Sequence, residues 1–291
     1  MSEPRTVAQL IDLGERVLAD STHIFDDHDN RHEAEQLMSF CLGGDVDEVD
    51  DDLHPRRSLR DRYLSLVARR AGGEPLPFLT GHIEFYGLDL DVKPGAFVPR
   101  PSSELTVARA VRRLRRMKSP SVIDVCTGAG PIALAIADDV PTADVWGADI
   151  DEEGLRQARH NARKLGIDNA HFKKGDMYAP LPAGLKGDVA LITGHIPYVP
   201  SGELDDLPSE VRDFEPHFTL TDASDDGLSL VRKAALEAPE WLRPGGWLLL
   251  EVSDDLAGVV RKICEQAGLE YEGIASDDDG LSIVVEARKN R

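Results

Sequence analysis

The chain has 291 residues, 41% hydrophobic and 30% charged, the composition of a folded globular protein. Asp and Glu outnumber Lys and Arg by 53 to 33, giving a formal net charge of -20. That balance argues against a nucleic-acid backbone as the main partner, because phosphate contacts need a basic face.

No stretch approaches the roughly 18 to 20 uninterrupted apolar residues of a membrane helix. The first twenty residues carry Asp12 and Glu15 within an amphipathic pattern and lack the apolar centre of a secretory signal. The expectation is a cytoplasmic monomer with no membrane and no direct nucleic-acid contact. Cys41, Cys126 and Cys264 form neither a disulfide framework nor a metal pair and read as buried thiols. His82, His160, His171 and His217 lack the spacing of metal ligands, so no metal is expected.

In chain order, residues 6–19 place Val7, Leu10, Ile11, Val17 and Leu18 at helical spacing. A second helix is expected from Arg31 to Leu42, followed by an acidic solvated connection, Asp45 to Asp52. Ser58 and Asp61 have the spacing of a capping box and open a third helix to about Arg70. Residues 1–75 thus read as a small helical domain. Within 76–101, Leu88, Leu90 and Val92 alternate with Asp89, Asp91 and Lys93, which predicts a β-hairpin linker. From 102 to 291 strands and helices alternate: helix 103–117 with five arginines, strand 121–126, helix 130–138, strand 143–149, helix 151–165, then strands 170–174 and 187–193. Helix 226–240, strand 246–252, helix 254–267 and strands 269–275 and 281–287 complete the series. The fold class is α/β, a mostly parallel sheet with an antiparallel edge, because the last two strands lack an intervening helix. The arginine-rich helix reads as a solvated outer helix, or as a face for an anionic partner.

Four segments carry chemistry. The apolar strand Val122-Ile123-Asp124-Val125 runs into Cys126-Thr127-Gly128-Ala129-Gly130 and then the helix Ile132-Ala133-Leu134; glycines at such a turn admit a ligand close to the backbone, and the helix start offers N–H groups. The next strand ends in Asp149-Ile150-Asp151, where a carboxylate about 20 residues past the glycines suits the two hydroxyls of a ribose. The alternative is an ordinary aspartate capping the following helix. Gly175-Asp176-Met177 places a short polar side chain at a third strand end, in reach of an adenine amino group. After strand Val189-Ala190-Leu191-Ile192 comes Thr193-Gly194-His195-Ile196-Pro197-Tyr198, which reads as a site loop. The turn is not a spaced GxGxxG and no GxxxxGK[ST] is present, so nicotinamide and P-loop nucleotide readings are weaker.

Over nearly its whole length the chain resembles the HemK/PrmC-type protein glutamine N5-methyltransferases, which modify the GGQ glutamine of peptide chain release factors. The matching segments include Arg70 to Leu76, Gly81 to Gly87, Phe97-Val98-Pro99-Arg100-Pro101, Asp124 to Gly130, Val211 to Pro216, Asp226-Gly227-Leu228 and Leu249-Leu250-Glu251-Val252. The resemblance implies a class I S-adenosylmethionine (SAM)-dependent methyltransferase with a Rossmann-like domain, SAM as cofactor, and a release-factor-like protein as substrate, gripped in part by the helical domain. It places the cofactor at Asp124, Thr127, Gly128, Ala129 and Gly130, at Asp149 and Ile150, and at Asp176, Met177 and His195. Catalysis falls to His195, Pro197 and Tyr198. Cys126 replaces the first glycine of the usual turn, and Ser102-Ser103 replace part of an acidic pattern that Glu104 keeps.

The larger departure is His195-Ile196-Pro197-Tyr198 where the family has Asn-Pro-Pro-Tyr. In the family the Asn carbonyl and the next backbone carbonyl accept hydrogen bonds from the substrate amide. A neutral imidazole offers one acceptor nitrogen at a different reach, and it suits removal of a proton from a hydroxyl. Three readings follow: methylation of a glutamine amide, methylation of another acceptor such as a small-molecule hydroxyl with His195 as base, or a SAM-binding protein without turnover.

Overall fold

The structure, a computed structural model, describes residues 6–24, 29–277 and 283–291. The chain forms two compact units, one of residues 1–82 with 205–215 and one of residues 83–204 with 216–291.

The first unit is helical: α1 (Val7–Ala19), α2 (Asn30–Leu42), α3 (Arg57–Ala71) and α4 (Leu76–Thr80). Thr6 caps α1 through the Gln9 N–H, and Asp29 caps α2 through the His32 N–H. The expected capping box at Ser58 is not formed. A capping residue stands outside the helix, whereas Ser58 is already helical, and Arg56 precedes α3 without a side-chain cap bond. Leu10, Leu37, Met38 and Tyr63 form the fully buried centre. Arg70, 1% exposed, donates to both oxygens of Glu33 at 2.7 and 3.0 Å and to Glu210 at 2.8 Å. A buried guanidinium left without such partners costs several kcal/mol, and this attachment explains why 205–215 belongs to the helical unit and not, as its sequence position suggested, to the α/β unit.

In the second unit, strands β1 (His82–Phe85) and β2 (Leu88–Asp91) form the expected hairpin. Phe85, Leu88 and Leu90 join a core with Val111, Leu114 and Leu134, so the hairpin is packed structure and not a free connector. The remaining elements are α5 (Glu104–Leu114), β3 (Ser121–Val125), α6 (Pro131–Asp139), β4 (Asp144–Asp149), α7 (Glu152–Leu165), β5 (Ala170–Lys174) and β6 (Val189–His195). The short α8 (Ser209–Arg212) lies in the helical unit; α9 (Ser229–Trp241), β7 (Leu242–Val252), α10 (Asp254–Gln266), β8 (Leu269–Ser276) and β9 (Ile283–Lys289) complete the chain. Residues 281 and 282 of the last expected strand lie outside the described residues.

The large sheet has the order β5-β4-β3-β6-β7-β9-β8. Strands β5 to β7 are parallel, and β9 runs antiparallel to both β7 and β8. Val122, Ile123, Leu191, Ile192 and Leu249 are fully buried, as expected of strands covered on both faces. The chain leaves β3 toward β4 and β5 on one side and later fills β6 and β7 on the other. The topological switch is therefore at β3–β6, where open α/β sheets bind ligands beyond the strand carboxyl ends.

Two of the five arginines near α5 are partly buried against the sheet. Arg109 and Arg113 converge on Glu286 of β9, at 2.6 Å each, and the Arg113 guanidinium lies 4.1 Å from the Trp247 ring centroid. The reading of a solvated outer helix is corrected to that extent: these side chains clamp α5 to the sheet.

Candidate active site

Beyond β3 the backbone curls through Cys126 (φ 55°), Gly128 (φ 54°) and Gly130 (φ 80°). Cys126 thus holds a left-handed conformation suited to glycine, at a cost of about 1 kcal/mol. At Gly130 a Cβ would lie 2.9 Å from the Ala158 Cβ and 3.0 Å from the Phe172 ring, so the turn packs against α7 and β5. A Cβ on Gly128 would meet nothing within 4 Å, and the backbone there faces open space. Gly130 precedes α6 without a side-chain cap, leaving N–H groups at the helix start for a ligand or water.

Asp124, only 1% exposed, accepts from Thr127 Oγ1 at 2.6 Å and from Thr193 Oγ1 at 2.7 Å. Burial pushes its carboxyl up to about 7; the two hydroxyls oppose this, and the charges of Asp149 and Glu251 add to it. With each oxygen engaged inside the protein, Asp124 braces the turn and does not face the crevice. Thr127, 4% exposed, and Ala129, 3% exposed, are likewise interior.

At the end of β4, Asp149 accepts the Gly128 N–H at 2.7 Å through Oδ2 and the Asp151 N–H at 2.8 Å through Oδ1. Burial raises its carboxyl, and these N–H bonds oppose the rise. The capping role falls to Asp151, whose oxygens accept from Glu153 N and Gly154 N at 2.9 Å each. Asp149 is thereby free of that duty, and Ile150 beside it stands 54% exposed. Asp176 pairs with Lys233 at 2.5 Å. Met177 has a φ of 50° and is 3% exposed; its side chain lies in the core, so only its backbone can serve a ligand.

His195 ends β6 and sits in register with Glu251 of β7. Its Nδ1 lies 3.2 Å from Ser103 Oγ and 3.7 Å from Glu251 Oε1. Glu251, 4% exposed, accepts from Ser103 at 2.9 Å and from Thr106 at 2.9 Å, with Ser102 at 3.4 Å. The imidazole meets Phe97 edge-on at 5.4 Å and stacks with Tyr198 at 6.0 Å between centroids. Burial raises the Tyr198 hydroxyl; Glu251 adds to this and Arg100 opposes it. Pro197 is half-buried, while Ile196 is 1% exposed and packs into the core.

The parallel registers align Ala148 with Val125, Val125 with Gly194 and His195 with Glu251. One edge of the sheet thus collects the glycine turn, Asp149 and His195. Sequence reading missed Ser103 and Thr106 as partners of Glu251, and Thr193 as a partner of Asp124. The available signal was a carboxylate in the otherwise apolar Leu249-Leu250-Glu251-Val252. Glu104 accepts the Tyr86 N–H at 2.7 Å, where Tyr86 holds a φ of 50°, and so secures the hairpin turn.

Residues 117–277 match the methyltransferase domain family. The release factor glutamine methyltransferase of Burkholderia pseudomallei is 40% identical over 266 residues, covering 86% of this chain and 88% of the relative. The chain belongs to the release factor glutamine methyltransferase family. The relative of the same name from Streptomyces coelicolor is 36% identical over 79% of this chain and 80% of its own. Among solved structures, a ribosomal protein methylase from Lactobacillus delbrueckii subsp. bulgaricus matches with a TM-score of 0.50 at 16% identity, over 68% of this chain and 82% of its own. A T. Thermophilus 16S rRNA methyltransferase in complex with AdoMet and guanosine matches with a TM-score of 0.51 at 19% identity, over 72% and 50%. These likenesses establish a class I methyltransferase fold.

As a member of this family the protein is a SAM-dependent methyltransferase, and the residues present fit that cofactor. The Asp149 carboxylate, oriented by two backbone N–H groups, would have lone pairs left for a ribose diol. The open face of Gly128 and the exposed side chain of Ile150 would offer backbone approach and an apolar surface.

Proposed function

We propose that this methyltransferase modifies the side-chain amide nitrogen of a glutamine in a peptide chain release factor, in the cytoplasm. The observation that carries the reading is 40% identity to a release factor glutamine methyltransferase across 88% of that relative. No described helix is long and apolar enough to cross a membrane, in keeping with this setting.

Asp149 takes the ribose hydroxyls, the Gly128–Gly130 backbone lines the methionine end, Ile150 packs on the adenine and Asp176 accepts from its amino group. Asp124 and Thr127 hold the turn in shape, and Met177 contributes its backbone. SAM supplies the methyl group as an electrophile on a sulfonium whose sulfur keeps the bonding electron pair. An amide nitrogen is a poor nucleophile because its lone pair is delocalised, so rate must come from placement at near-attack distance and from acceptors that polarise its N–H bonds. His195 supplies such an acceptor where relatives of the Asn-Pro-Pro-Tyr type use an amide carbonyl. Pro197 stiffens the loop, and the Tyr198 ring flanks the imidazole.

A second reading rests on the Ser103–Glu251 support of His195, which also suits proton removal from a hydroxyl acceptor. Incubating purified protein with labelled SAM and a release factor carrying the GGQ loop separates the two. Label is expected in the native release factor and not in a variant with that glutamine changed to alanine. Absence of transfer to the native factor, with transfer to a hydroxyl compound, overturns the glutamine reading.

A further inference from the structure

Ser103 has one hydroxyl hydrogen and two neighbours that compete for it. Its Oγ lies 2.9 Å from Glu251 Oε1 and 3.2 Å from His195 Nδ1. The carboxylate is the stronger acceptor, and Ser103, Thr106 and Glu251 are buried at 3%, 0% and 4% exposure, where a carboxylate missing a donor is costly. The hydrogen therefore goes to Glu251, and Ser103 can only accept from the ring. A lone pair on Nδ1 would face both the serine oxygen and the Glu251 oxygen 3.7 Å away; a hydrogen on Nδ1 bonds the serine oxygen and turns the repulsion from the carboxylate into attraction. We infer that Glu251, acting through Ser103, fixes His195 as the Nδ1–H tautomer, so that Nε2 presents its lone pair to the methyl acceptor.

This inference rests on the reading of His195 as the group that meets the acceptor. It explains how a histidine fills the place of an asparagine. Locked in this form, the imidazole acts as an acceptor, as an amide carbonyl does, where the opposite tautomer would turn an N–H donor toward the substrate NH2. When the acceptor nitrogen gains the methyl carbon it must lose one hydrogen as a proton. Nε2 is the base that takes it, and the negative Glu251 carboxylate stabilises the resulting imidazolium. Ser103 and Glu251 are positioning residues, and Thr106 holds the second oxygen of Glu251 at 2.9 Å.

The decisive measurement is a two-bond ¹H–¹⁵N correlation on full-length protein with ¹⁵N-histidine, at about pH 8.5, where free imidazole is neutral. His195 is assigned by comparison with His195→Gln. The expected signal shows protonated Nδ1 and unprotonated Nε2; a protonated Nε2 in the native protein overturns the inference. In Ser103→Ala the ring is expected to become a tautomer mixture, with kcat down about ten- to a hundredfold and SAM affinity by calorimetry within about twofold. Ser103→Thr, which keeps the hydroxyl, is expected to restore both signal and rate. An unchanged tautomer in Ser103→Ala also overturns the inference. If the native tautomer is Nδ1–H but release factors accept no methyl, the glutamine reading fails and the tautomer assignment stands.

Discussion

The glycine turn and the acceptor loop occupy neighbouring strand ends but are built by different means. In the turn, the backbone sets the geometry: left-handed residues at Cys126, Gly128 and Gly130, and N–H groups that orient Asp149. In the loop, His195 gets its meaning from side chains, Ser103 and Glu251 behind it and Phe97 and Tyr198 beside it. A backbone-built turn keeps its shape with a side chain such as that of Cys126, which holds the left-handed dihedral. A side-chain-built site changes its chemistry with one residue, and it is in this loop that the chain departs from Asn-Pro-Pro-Tyr.

If the halves are separable, damage to one spares the other. Gly227 has a φ of 66°, and a Cβ there would overlap the Tyr198 carbonyl oxygen and lie 2.8 Å from Pro200 N. Gly227→Ala is expected to lower methyl transfer by about a hundredfold or more through misplacement of the loop, with the SAM Kd within about threefold. Equal losses in transfer and SAM binding would break the comparison. Asp149→Ala tests the other half. Two charge-assisted hydrogen bonds at roughly 1.5 kcal/mol each correspond to about a hundredfold in affinity, read by calorimetry. An unchanged Kd would remove Asp149 from the cofactor site.

Gly130→Ala probes the turn as a structural object. With φ at 80° and Phe172 3.0 Å from the added carbon, a loss of about 1–3 kcal/mol is expected, seen as a lower urea midpoint. An unshifted midpoint would mean that Phe172 gives way without cost.

The smallest effect concerns Asp124. Its folded value of about 7 exceeds the roughly 3.9 of an unfolded aspartate. The folded state therefore holds a proton that the unfolded chain has released between these values. Stability falls as pH rises through that window, with a slope of at most about 1.4 kcal/mol per pH unit from this group. Asp124→Asn is expected to flatten the dependence between about pH 4 and 7. Superimposable stability–pH curves would show that Asp124 does not titrate there.

The sequence by itself determined the order and type of the principal elements, because hydrophobic period and turn residues act over a few neighbours: α7, β4 and β6 fall within two residues of their expected bounds. It also marked the glycine turn and Asp149, whose chemistry depends on a strand-turn-helix contiguous in the chain. The tertiary structure decided what distance along the chain conceals. Segment 205–215 joins the helical unit because Arg70 needs Glu210 as well as Glu33. Asp124 turned out to be a brace, since Thr193 arrives from another strand to occupy its second oxygen. Ser103 and Glu251, separated by 148 residues, meet behind His195 because α5 packs beside β6 and β7, and no local pattern encodes that meeting. Of the two, Ser103 alone reaches the ring, at 3.2 Å from Nδ1, and carries Glu251 behind it, a pairing which the identity of His195 alone does not contain.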